Sequence, residues 1–112
     1  MRTGLGYMLA AAIMMAGPVV TIAGDESTIF TLSANGSRNT RPFTVKDRWE
    51  IRWENKGSIL TVAVRTAEGK LVAGGGSATA PGTGESFQPK GGTYFLDVTG
   101  VGDWTISVVQ LP

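Results

Sequence analysis

Trp49-Glu50-Ile51-Arg52-Trp53-Glu54-Asn55 is the stretch that decides how this chain folds. Trp49, Ile51 and Trp53 alternate with Glu50, Arg52 and Glu54. A period of two sends successive side chains to opposite faces of an extended strand, whereas a helix would need apolar residues every three or four positions. One face of this segment is therefore apolar and the other charged.

The same alternation recurs on both sides. Upstream, Phe30 and Leu32 alternate within residues 28–34, and Phe43 and Val45 flank Thr44. Downstream, Leu60, Val62 and Val64 alternate within 59–66, Tyr94, Leu96 and Val98 within 93–99, and Trp104, Ile106 and Val108 within 103–110. A short run at 70–73 adds one more strand. Turn residues punctuate the gaps: Asn35-Gly36 tolerates positive φ, and 55–58, 67–69 and 100–102 read as hairpin loops. Residues 74–85, Gly-Gly-Gly-Ser-Ala-Thr-Ala-Pro-Gly-Thr-Gly-Glu, are poor in large apolar side chains and read as a mobile loop. No amphipathic helix is evident after Ala23. The pattern predicts an all-β antiparallel sandwich or barrel of about seven to eight short strands. Its core is predicted to be the apolar residues just named together with Trp49, Ile51 and Trp53, each worth about 1.5–3 kcal/mol when fully buried.

The first residues follow a different rule. Arg2 and the amino terminus are positive, and Leu5 to Ala16 is apolar and free of charge. Gly17-Pro18 breaks the helical run because proline lacks the N–H that would continue it. Thr21-Ile22-Ala23 then places small residues where a signal peptidase inspects them. Residues 1–23 are accordingly expected to form a secretory signal-peptide helix, and 24–112 a single domain. An uncleaved anchor is the competing reading, since about 20 apolar residues can span a bilayer. Localisation is expected to be secreted or periplasmic, with membrane contact only through the signal segment if it stays attached.

Composition narrows the chemistry. There is no cysteine and no histidine. Disulfides, thiolate metal sites, Ser-His-Asp triads and Cys-His dyads are all ruled out. No cofactor is expected. Arg2 is one of ten Lys/Arg, so residues 24–112 carry nine basic against nine acidic residues. A charge-balanced domain has no strong electrostatic claim on nucleic acid. The one local bias is Arg38, Arg41, Lys46 and Arg48, offset only by Asp47. Such a cluster is either a small basic patch or a solvated loop and strand face.

The other candidate sites divide between chemistry and structure. Glu50 and Glu54 share a strand face, but at about 3.3 Å per residue their Cα atoms stand roughly 13 Å apart with Arg52 between them, so a surface charge ladder fits better than a glycosidase pair. Asp25, Glu26, Asp47, Asp97 and Asp103 could in principle offer oxygen ligands to calcium, without the dense spacing of a loop site. Residues 74–85 lack the Gly-Lys-Ser/Thr ending of a phosphate-binding loop. Asn35-Gly36-Ser37 matches a glycosylation sequon and equally a turn. Phe95, opposite in phase to Tyr94 and Leu96, could mark a partner surface or equally fill a two-sided sandwich edge.

The segment 91–110, Gly-Gly-Thr-Tyr-Phe-Leu-Asp-Val-Thr-Gly-Val-Gly-Asp-Trp-Thr-Ile-Ser-Val-Val-Gln, resembles the closing strands of small exported bacterial β-sandwich proteins of unknown function. It is more loosely similar to the jelly-roll accessory domains that follow secreted peptidases. Asn39–Val45 and Arg48–Glu54 resemble the first half of the same small proteins. The resemblance implies a fold, an antiparallel β-sandwich that is jelly-roll-like, more than an activity; the accessory domains often bind calcium or polymeric substrates.

The resulting expectation is an exported, non-catalytic module that binds a protein or glycan partner. Glu50, Arg52, Glu54 and Arg65 are its candidate contact face. A secreted hydrolase inhibitor that inserts the 74–85 loop is the second expectation, and a hydrolase using carboxylates alone the third.

Overall fold

The computed structural model of the chain describes residues 25–112; the expected signal segment, residues 1–23, lies outside them. Trp49–Asn55 forms a strand, as its alternation requires, and eight others accompany it. In chain order they are β1 (Ser27–Asn35), β2 (Arg38–Asn39), β3 (Phe43–Val45), β4 (Trp49–Asn55) and β5 (Ile59–Thr66). They continue with β6 (Leu71–Ala78), β7 (Gly82–Gln88), β8 (Gly92–Val101) and β9 (Asp103–Gln110).

The strands make a β-sandwich of two antiparallel sheets. The first runs β1-β9-β4-β7; the second runs β2-β8-β5-β6, with β3 also paired to β8. In the first sheet Trp53 lies opposite Ile106, and Ile51 opposite Val108. In the second, Val62 lies opposite Val98, and Val64 opposite Leu96. These inward residues meet between the sheets and form one core. A ladder of aromatic rings crosses it: Phe30 to Phe43 at 5.3 Å, Phe43 to Trp49 at 5.5 Å, and Trp49 stacked on Tyr94 at 5.5 Å.

The connections depart from the hairpins expected of the sequence. Among the described residues only 67–70 joins two neighbours of one sheet, β5 and β6, with Gly69 at φ +94°. Residues 56–58 carry the chain from β4 in the first sheet to β5 in the second, and Gly102 returns it from β8 to β9. These corners cross the sandwich. They pack tightly on each other, since a Cβ on Gly57 would overlap the carbonyl of Val101. The strand pairs β5·β6, β4·β7, β2/β3·β8 and β1·β9 therefore nest outward from one hairpin tip. A three- or four-residue gap has the same composition whether the chain reverses within a sheet or crosses to the other.

The glycine-rich stretch is also corrected. Residues 74–85 are no loop: they form the second half of β6, a short corner and the first half of β7. Their inward space is filled by neighbours. Trp53 lies directly opposite Gly84, and its indole covers both Gly84 and Gly76 so closely that a Cβ on either would overlap the ring. Gly75 meets Val62 and Ile51 in the same way. Alternation is missing from these strands because their core volume comes from other strands.

Buried polar groups tie the corners down. Asn55 is 1% exposed; its Nδ2 donates to the Ala80 carbonyl at 3.0 Å and its Oδ1 accepts from the Gly57 N–H at 3.2 Å. Asn55→Leu would orphan both partners, and we expect a loss of about 1–2 kcal/mol, measured by urea unfolding.

Candidate functional site

The charged side of β4 faces outward from the first sheet. Glu50, Arg52 and Glu54 are brought onto that one face as expected. Their chemistry is largely internal. Arg52 donates from Nη1 and Nη2 to both oxygens of Glu26, at 2.8 and 2.9 Å, and from Nε to Glu50 at 2.6 Å. This fork holds the Glu26 carboxyl below its usual value, chiefly through the hydrogen bond from Arg52, and the two carboxylates raise the arginine further. The pair pins the entry of β1 onto β4.

A shallow polar groove of about 320 Å³ lies beside it, between Arg52, Glu54, Thr83, Glu85, Thr105 and Ser107. Two hydroxyl pairs continue the face onto β1: Thr31 with Ser107 at 2.9 Å and Ser33 with Thr105 at 2.8 Å.

The Glu26 pair sets a pH dependence with a definite sign. A folded carboxyl held below the unfolded value of 4.5 adds stability at higher pH. That contribution is complete above the unfolded value and disappears as pH falls through the folded one. The melting temperatures of the parent and Glu26→Gln are therefore expected to differ slightly at neutral pH and to converge as pH falls below the usual carboxylate range. Both groups are part-exposed, so the difference also shrinks with salt.

Arg65 stands apart from the other three candidates. It belongs to β5, in the second sheet, and faces outward on the opposite side of the sandwich. There its Nε donates to Asp97 at 2.9 Å and its Nη1 to the Gly69 carbonyl at 3.1 Å. The four residues proposed from sequence do not form one surface. Phe95, opposite Arg65 in register, is only part-exposed.

The carboxylates considered for calcium are dispersed. Glu26 is held by Arg52 and Asp97 by Arg65, Asp47 accepts the Gly91 N–H at 2.7 Å, and Asp103 accepts Asn35 Nδ2 at 2.7 Å. Among the described residues no group of three acidic side chains is placed to hold a metal ion.

A second concavity was only half legible. At one open edge of the sandwich, β1 borders the first sheet and the β2–β3 segment borders the second. Between them lies a slot of about 390 Å³, walled by residues 29–32 on one side and 38–43 on the other. Phe30 and Leu32 point toward the core and pack against it, yet stay partly open. Thr40 adds no free polar group: its N–H bonds Leu96 O at 2.9 Å, while its hydroxyl donates to Arg41 O and accepts from Leu96 N. The charged groups of the lining are Arg38 and Arg41 alone. Neither forms an ion pair among the described residues.

No protein-family model matches this chain, and no curated protein is significantly similar to it. The site has to be judged on its own geometry.

On that basis the slot and the polar groove differ in kind. In the groove, the arginine is already neutralised by two carboxylates. In the slot, apolar surface is left open and two cations have no ion-pair partner among the described residues. The basic cluster noted in the sequence divides here: Arg38 and Arg41 go to the slot. Lys46 and Arg48 instead serve the C-terminal end, where Gln110 bonds the Lys46 backbone and Arg48 Nε reaches Pro112 O at 3.3 Å. The signal for the slot was present in Arg38 and Arg41. What the sequence could not show is that β1 folds over to face them.

Proposed function

We propose that this chain is an exported, non-catalytic binding module of jelly-roll type, whose ligand seats in the slot between β1 and the β2–β3 segment. The strand order supports the finer fold reading. Two four-strand paths, β1-β9-β4-β7 and β2-β8-β5-β6, nested about one hairpin, are the arrangement of a rolled double Greek key. The observation that carries the functional reading is the slot itself. Its volume of about 390 Å³ falls in the range of small-molecule sites, and its mostly apolar lining with a few convergent polar groups matches their character. The apolar start of the chain supports export.

A second reading rests on the polar groove over β4. Its hydroxyls and carboxylates suit the hydroxyl groups of a glycan, and it retains the face first suggested by Glu50, Arg52 and Glu54. An inhibitor that inserts the 74–85 segment has less to support it, because that segment is paired on β4 and β5.

One titration separates the readings. The protein, labelled for amide NMR, is exposed to the small-molecule fraction of a bacterial envelope extract and, separately, to soluble glycans. Shifts clustered at 29–32 and 38–43 are the expected result. Shifts clustered at 52–54, 83–85 and 105–107 would move the site to the groove, and no shift at the slot would overturn the proposal.

A further inference from the structure

We infer that the slot takes a single-chain anionic amphiphile, an unbranched alkyl chain ending in a carboxylate or phosphate head. This rests on the reading of the slot as the binding site and goes beyond it by naming the ligand's chemistry.

Three observations carry it. First, the wall is apolar and aromatic. Phe30 and Leu32 are inward residues that the sandwich leaves partly uncovered, and Phe43 continues the wall into the buried ring ladder. Burying such surface favours a hydrocarbon over a sugar or a peptide backbone, whose polar groups would need partners. Thr40, the one buried hydroxyl in the lining, already has its own. Second, the lining carries Arg38 and Arg41 and no acidic residue. Every other arginine among the described residues is engaged: Arg52 by Glu26 and Glu50, Arg65 by Asp97, and Arg48 by the Pro112 carbonyl. Guanidinium groups present several donors in a fixed fork that matches carboxylate and phosphate oxygens. Third, the shape is a slot between two sheet edges rather than a flat face, which fits one chain rather than a broad surface.

Affinity should then depend on both ends of the ligand. Each methylene seated in the slot is expected to tighten binding about threefold to fourfold until the wall is covered. Losing both arginines is expected to weaken an anionic ligand about tenfold or more while leaving a neutral one unchanged.

The test is calorimetric titration of the protein with octanoate, decanoate and dodecanoate. Decyl phosphate, decanol and decylamine serve as comparators, and acetate and inorganic phosphate as heads without chains. The same series is run on Arg38→Gln/Arg41→Gln; both positions are exposed, and its melting curve checks the fold. The expected result is binding of decanoate or decyl phosphate that strengthens with chain length. Decanol should bind more weakly, decylamine and the free heads not measurably. The double variant should lose the preference for anionic heads. Decanoate or decyl phosphate alone would identify which head is preferred. If decanol bound as well as decanoate and the double variant changed nothing, the anionic head would be overturned while the slot stood. If no amphiphile bound but the envelope extract still shifted the slot amides, an extended peptide or another ligand would replace the inference. Silence in both experiments would remove the slot reading as well.

Discussion

Trp49→Ala is expected to cost about 3–5 kcal/mol, and in a domain of this size that leaves little or no folded protein at 37 °C. Trp49 is 1% exposed and sits at the middle of the ring ladder, between Phe43 and Tyr94. Its indole N–H donates to the Lys90 carbonyl at 2.7 Å, so truncation removes a hydrogen bond together with one of the two largest fully buried side chains in the core. The cavity would open between the two sheets, where neither can close it by moving alone. Trp49→Phe keeps the stack, loses the hydrogen bond, and is expected to cost about 1–3 kcal/mol. Urea unfolding of the two variants, read by far-UV circular dichroism, checks the order.

Gly84→Val comes second. Overpacking of this kind costs about 1–3 kcal/mol and occasionally more, and here the site has little freedom to relax. A side chain at Gly84 would enter the Trp53 ring from β7, while Gly76 holds the ring from the other sheet. To make room, the part-exposed ring must swing further toward solvent, giving up its packing, or part β6 from β4. Amide exchange is expected to accelerate through β6 and β7 more than through β9. Equal acceleration everywhere would mean that Trp53 is not what holds these two strands together. Trp53 Nε1 is buried without a hydrogen-bond partner, which shows how closely the ring is confined by its packing.

These two residues also show how far the sequence could be read. Trp49, Ile51, Leu60, Leu96, Trp104 and Ile106 were legible as core because each lies on the apolar phase of an alternating run, and all are buried. Val109 was assigned to the outer face yet is 1% exposed. It keeps that face, opposite Glu50 of β4, and lies beside a bulge of β1 that skips Ile29 between Thr28 and Phe30, a feature alternation cannot reveal. Gly75, Gly76 and Gly84 were misread for the opposite reason: a strand whose core is supplied by a tryptophan from its neighbour has no apolar pattern of its own. Of the candidate site, the charge ladder on β4 was visible, but its neutralisation by Glu26 was not, since that contact joins residues 26 positions apart in the chain. Arg65 was grouped with β4 because the sequence shows which face of a strand a residue takes, not which sheet the strand joins. The slot depends wholly on such long-range placement.

The most direct test is a crystal structure of the protein grown with decanoate. The expected density is an alkyl chain against Phe30, Leu32 and Phe43, its carboxylate about 2.7–2.9 Å from the guanidinium groups of Arg38 and Arg41. Density over Arg52, Glu54 and Glu85 with the slot empty would contradict it.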